Sequence, residues 1–176
     1  MNLPERKQIR LKDYDYSTPG AYHIVLCTYR KQKILWNNCR VDPCGRPLIE
    51  YSELGKIAED TIFVIEEKYG IFVDKYVIMS DHIHLLMVLP GSQERLTARV
   101  NPTMGRIIGA YKSMVSNEWL KRCKQRNIIM GSLWQYSYFD HVIRNRQDYE
   151  ETWKYIDENP LRYILKKGEI NYAQNS

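Results

Sequence analysis

The run Val77-Ile78-Met79-Ser80-Asp81-His82-Ile83-His84-Leu85-Leu86-Met87-Val88-Leu89-Pro90 decides how this chain is read. Apolar, strand-like residues fill both sides of a two-residue break at Ser80-Asp81. That is the pattern of an antiparallel hairpin with strands over 71–79 and 82–89. Two of the chain's four histidines lie in the second strand, one residue apart. Side chains alternate faces along a strand, so His82 and His84 share a face while Ile83 points into the opposite layer. Separated by about 7 Å of strand rise, two imidazoles can close on one cation with small rotamer changes. By itself a two-residue motif is weak evidence, and the pair more often means sheet-edge histidines satisfied by carboxylates or water.

Working outward, residues 1–19 read as a basic, Tyr-punctuated arm ending in the turn Ser17-Thr18-Pro19-Gly20. The β-rich run 21–29 is the first strand, with His23 read as a structural residue. Pro43, Gly45 and Pro47 mark a loop with room for a short hairpin. From Ser52, a suitable N-cap, to Tyr69, Leu54, Ile57, Ala58, Ile62 and Ile65 follow helical spacing, and Gly70 supplies the stop. A polar loop over 91–103 leads to a helix over 104–122 that turns Ile107, Ile108, Tyr111, Met114, Val115 and Leu120 inward. A fourth strand is expected over 134–143. A last helix, capped by Asp148, is expected to end at Asn159-Pro160, because proline disfavours helical angles in its predecessor. The order β-α-β-β-α-β-α predicts an α+β, ferredoxin-like split βαβ antiparallel sheet. It has helices on one face and an extra C-terminal helix, in one domain spanning 1–176.

Composition excludes little. Of 176 residues, 44% are hydrophobic and 27% charged, with a formal net charge of +5. The mild basic excess is compatible with nucleic acid, and fourteen Tyr and four Trp would offer bases something to stack on. Basic residues cluster around Arg10 and Lys12, around Arg30, and over 121–126, and the ordinary reading of each cluster is a solvated face. No apolar run is long enough to span a bilayer, and the N-terminus lacks a signal-peptide core. The four cysteines form no CxxC pair, so they read as reduced thiols of a cytoplasmic protein and a zinc site is not expected.

In the last helix, Tyr149, Trp153 and Ile156 form an apolar stripe expected to dock on the sheet. Tyr155 falls roughly 100° off that stripe and is one turn from Asn159, its i+4 neighbour. A tyrosine in that position fits an amphipathic rim. It can also be a nucleophile with a metal ligand one turn away, although the rim is the commoner role of such a tyrosine.

Four spaced blocks then carry a resemblance: residues 11–22, 79–86 (Met-Ser-Asp-His-Ile-His-Leu-Leu), 134–145 (Trp-Gln-Tyr-Ser-Tyr-Phe-Asp-His-Val-Ile-Arg-Asn) and 155–162 (Tyr-Ile-Asp-Glu-Asn-Pro-Leu-Arg). From about residue 10 to 165 the chain resembles the REP-associated tyrosine transposases, cousins of the single-tyrosine transposases of small insertion sequences. The resemblance implies the His-hydrophobic-His plus tyrosine ("HUH") endonuclease plan, with His82 and His84 as metal ligands and Tyr155 as nucleophile. Asn159 stands where mobile-element relatives carry glutamine as third ligand; one methylene shorter, it would ligate directly or through water. Ser80 replaces the proline common before the motif.

The expected chemistry follows. A phenol with pKa of about 10 is mostly protonated at neutral pH and needs help to act as a nucleophile. A divalent cation, Mg²⁺ or Mn²⁺, would polarise the scissile phosphate, Mn²⁺ accepting imidazole more readily. Tyrosine attack would leave a 5′-phosphotyrosine and a free 3′-hydroxyl, ready for rejoining without ATP. The partner implied is single-stranded DNA hairpins, in a bacterial cytoplasm at the nucleoid. The chain would act as a monomer, or as a homodimer that exchanges the tyrosine helix. Lys112, Arg144 and Arg162 are candidate backbone contacts beside Arg10, Lys12 and Arg30, while His141 either packs structurally or orients a phosphate. The alternative is a catalytically silent, domesticated DNA-binding protein of the same fold. A two-histidine phosphodiesterase fails for want of paired His-x-Thr/Ser motifs, and an RNA-binding module fails for want of its aromatic signature.

Overall fold

The computed structural model describes residues 14–91 and 103–167, so Arg10, Lys12 and most of the basic arm lie outside the described residues. Strand β1 (Gly20–Cys27) is followed by a tight 3₁₀ turn (Tyr29–Lys31) and by a hairpin of β2 (Trp36–Val41) and β3 (Pro47–Tyr51). Then come α1 (Glu53–Tyr69), β4 (Phe72–Ile78), β5 (His82–Leu89), α2 (Met104–Gln125), β6 (Phe139–Val142) and α3 (Arg146–Lys167). The main sheet runs β4-β5-β1-β6 with every neighbouring pair antiparallel, the order of a split βαβ fold. No helix among the described residues is long and apolar enough to cross a membrane.

Alternation in the two central strands sets up the two faces. Tyr22, Ile24 and Leu26 of β1 and Ile83, Leu85 and Met87 of β5 are fully buried, in one cluster with Leu54, Ile57 and Ile62 of α1 and Ile107, Ile108 and Tyr111 of α2. By period two, His23, Val25, Cys27, His82 and His84 lie on the other face. There α3 docks through Ile156 onto Val77, Met79 and Leu86. The polar residues of the central strands are thus opposed by a helix, and a cleft is left between them.

Local signals explain most element ends. Ser52 Oγ accepts from Gly55 N at 3.0 Å, and Gly70 closes α1 in the left-handed region (φ 57°). Gly55 is required by close packing, since a Cβ there would stand 2.2 Å from the carbonyl oxygen of Leu35. The hairpin expected around Pro43–Pro47 is β2–β3. Its turn is tied by Asp42 Oδ1, which accepts from Cys44 N and Arg46 N.

Five expectations need correction. The fourth strand is confined to Phe139–Val142; Trp134 only bridges Thr28, and Lys112 Nζ takes the carbonyls of Gln135 and Ser137. The last helix does not stop at Pro160 but runs on to Lys167. Burial of Ile164, and the packing of Tyr163 against Trp36, offset the roughly 3 kcal/mol cost of an interior proline. Asn145 rather than Asp148 caps that helix, its Oδ1 accepting from Asp148 N at 2.9 Å. The buried stripe of α3 is Thr152, Ile156, Pro160 and Ile164. Trp153 is instead 39% exposed under the ammonium of Lys75, while Tyr149 is half-buried with its hydroxyl donating to Asp74. Leu120 is exposed because at 100° per residue it falls on the side of α2 away from the buried stripe of Ile107, Ile108, Tyr111 and Val115.

Candidate functional site

The polar face of β1 and β5 and the adjoining side of α3 enclose a cleft of about 820 Å³, lined by His23, His82, His84 and Tyr155 among others. His82 opens β5 and pairs with Cys27 in register, while His84 pairs with Val25, which brings it beside His23 on the same face. Tyr155 projects from α3 with its ring centroid 5.5 Å from that of His84 and 6.1 Å from that of His23. One turn on, Asn159 Nδ2 lies 3.3 Å from His84 Nε2. The residues singled out at Tyr155, His82, His84 and Asn159 therefore converge, although two come from a strand and two from a helix far along the chain. Tyr155 is 42% exposed, open to a substrate as well as to the imidazoles.

Hydrogen bonds set which ring nitrogen each histidine presents. His82 Nδ1 lies 2.6 Å from Asp81 Oδ1, which makes Nδ1 the donor and leaves Nε2 with its lone pair. His84 Nδ1 lies 2.9 Å from His23 Nε2. With the Asn159 amide donating to Nε2, the one consistent assignment has His84 Nδ1–H donating to His23. Both motif histidines then have an unprotonated Nε2; that of His84 accepts from Asn159, a bond that a cation would displace. Burial, reinforced by His82 and His23, pushes the His84 pKa down to about 3. Burial, with His141, pushes His23 down to about 4, so both imidazoles are neutral at pH 7, the state in which they can ligate.

Among the described residues, no cluster of three or more His, Cys, Asp or Glu could hold a metal ion. The donor set available is two imidazoles and one carboxamide, and rotation of the Asn159 amide would turn its oxygen to the position its nitrogen now takes. Such a set leaves room for phosphate oxygens and suits a divalent cation of borderline hardness.

The remaining candidates are spread around the cleft. Arg162, one turn beyond Asn159, lines it with Cζ 6.0 Å from the Tyr155 ring centroid while also donating to Glu158. His141 lies on the same sheet face, paired in register with His23, its Nε2 2.9 Å from Asp148 Oδ1. Arg144 is exposed, its backbone N–H donating to Asp148. Arg30 sits in the turn after β1, its guanidinium 5.2 Å from the centroid of the Tyr29 ring. Lys112 does not face the cleft's imidazoles; its ammonium is held by two loop carbonyls.

Two residues at the site escaped the sequence reading. His23 was recoverable in part, because apolar Tyr22, Ile24 and Leu26 force it onto the opposite face, but its partner depends on which strand lies beside β1. Lys31, which lines the cleft, is placed there by a left-handed backbone (φ 53°) that no residue type in the turn announces.

A family described as Transposase IS200 like matches residues 17–159. An uncharacterized protein of Haemophilus influenzae is 26% identical over 173 residues, covering 90% of both chains. A second H. influenzae protein, whose name places it among the REP-associated tyrosine transposases, is 30% identical over 92 residues; the match spans 49% of this chain and 47% of that protein. A solved REP-associated tyrosine transposase bound to a REP hairpin superposes with a TM-score of 0.57 at 15% identity, covering 88% of this chain and 73% of that one.

Proposed function

The chain belongs to the Transposase IS200 like family, and on that footing we propose that it is a metal-dependent endonuclease and transposase that cuts and rejoins single-stranded DNA at short hairpins. The observation that carries this reading is the convergence of Tyr155 and Asn159 on His84 within one chain. Tyr155 is the nucleophile. Its Oη forms a bond to the scissile phosphorus as the bond from phosphorus to the 3′ oxygen breaks. The phenol gives up its proton and the departing 3′ oxygen gains one, leaving a 5′-phosphotyrosine and a 3′-hydroxyl. Attack of a second 3′-hydroxyl on that linkage reverses the step and joins strands with no net loss of phosphodiester bonds.

His82, His84 and Asn159 are the residues that would hold Mg²⁺ or Mn²⁺. The cation would supply charge to polarise the phosphoryl oxygens. His23 and Asp81 keep the two imidazoles in the ligating tautomer, the orienting partnership that metal-bound histidines ordinarily have. Arg162 stands beside the tyrosine, where a guanidinium can take a phosphate oxygen. The setting is the bacterial cytoplasm, where the substrate DNA lies.

Labelled hairpin strands copied from palindromes beside the gene, incubated with the protein and Mn²⁺, test the proposal. Cutting of the single strand and not of the matched duplex is expected, and His84→Ala should lose cutting while keeping most DNA affinity, which phosphate contacts supply. Binding without cutting under any divalent metal would instead make the chain a silent DNA-binding protein.

A further inference from the structure

We propose that the turn after β1 and the loop before β6 form a track for the single strand leaving the cleft, with Lys31 on a phosphate and Phe139 and Tyr136 stacked on unpaired bases. The inference rests on the single-strand reading above and adds a base-binding subsite to it.

Tyr136 is 101% exposed, so its ring contributes nothing to the core. Its backbone is nevertheless fixed from both sides. Lys112 Nζ donates to the carbonyls of Gln135 and Ser137 at 2.8 and 3.0 Å, and Gln135 N donates to Cys27 O at 3.0 Å. Trp134 Nε1 donates in turn to Lys112 O at 3.2 Å. A half-buried ammonium thus holds a loop whose central side chain touches only solvent. Phe139, three residues on, is 50% exposed and lines the cleft. It pairs with Val25 in register, on the face that carries His23. Three residues of chain reach at most about 10 Å, or roughly three stacked nucleotide steps of about 3.4 Å.

The neighbouring turn after β1 carries charge. Arg30 and Lys31 are consecutive non-glycine residues at φ 53°, a conformation that persists only where surroundings over-determine it. Here the single Thr28 hydroxyl proton lies within reach of the carbonyls of both Gln32 and Asp81, and Tyr29 N donates to Leu133 O at 2.8 Å. The last bond, with the Thr28–Trp134 bridge, joins turn and loop into one surface. Cations beside exposed rings are what a sequence-tolerant single-strand groove needs: charge follows the backbone, and a ring face accepts any base.

The test uses the full chain with divalent metal chelated, so that no strand is cut. The probes are the gene-flanking hairpins with single-stranded tails, carrying 2-aminopurine at each tail position in turn. Wild type should quench two tail positions, up to about three steps apart. Tyr136→Ala should remove the quench at one of them and weaken binding about fivefold or more, while Tyr136→Phe keeps both quenched positions and the affinity. Lys31→Ala should leave the quench and flatten the salt dependence by about 0.7 in slope. Unchanged affinity and quench in Tyr136→Ala, at an unchanged melting temperature, would overturn the track alone and leave the ring to a protein partner. Failure of wild type to bind any hairpin would remove the single-strand reading and the track together.

Discussion

His23 Nε2 lies 2.9 Å from His84 Nδ1, joining two strands across the face where the cleft opens. Because Asn159 takes the other side of the same imidazole, His84 is held at both nitrogens. Under the proposed function, His23 would position the proposed ligand His84 rather than ligate the metal itself. His23→Ala should weaken Mn²⁺ binding and cleavage by about 10- to 100-fold, the usual cost of losing such a partner, with DNA affinity little changed. His23→Asn, which returns an acceptor, should recover part of the metal affinity. Calorimetry of Mn²⁺ on the three proteins decides this, and equal affinities would assign His23 to packing alone.

The same two histidines set a pH dependence for the metal-free protein. They face His82 and Asp81 at the start of β5, His141 on β6, and Asp148 and Tyr155 on α3. Their native pKa values, about 4 and about 3, lie below the ordinary 6.5 of an exposed histidine. Below pH 6.5 the unfolded chain takes up protons that the native chain refuses, so stability falls with acidification down to the native values. Above 6.5 this contribution is complete and flat. Melting temperatures between pH 4 and 7.5 should show the decline, and His23→Gln should show a shallower one; parallel curves would contradict the assignment.

How legible this was from sequence varies by element. Helix α1 could be read throughout, because its N-cap Ser52, its apolar spacing and its stop at Gly70 are all local signals. The limits of β5 were equally plain, and with them the shared face of His82 and His84. The convergence of Tyr155 on that face rested on resemblance, since nothing local says which side of the sheet α3 covers. The partnership of His23 with His84 depends on β1 lying beside β5, a non-local pairing. Helix α3 outran its proline because tertiary burial of Ile164 and Tyr163 outweighed a local rule, and Lys112 was hidden because its partners are backbone carbonyls in a distant loop.

Tyr155 and His84 meet within one chain, so the proposed site can assemble from a single copy. A mixture of Tyr155→Phe and His84→Ala proteins should then cut no more than either alone. Restored cutting on mixing would mean that copies exchange the tyrosine helix. A strand-cleavage assay across mixing ratios reads this directly.

In the proposed mechanism Tyr155 takes the phosphate. Tyr155→Phe removes one oxygen from a partly exposed ring and little packing, so fold and DNA affinity should persist while cleavage disappears. Tyr149, on the same helix, has its hydroxyl committed to Asp74 at 2.7 Å and should not substitute. The direct measurement is mass spectrometry of the wild-type protein trapped on a hairpin strand and digested to peptides. The 5′ side of the break should be found attached to Tyr155, and a nucleotide on any other residue would contradict that assignment.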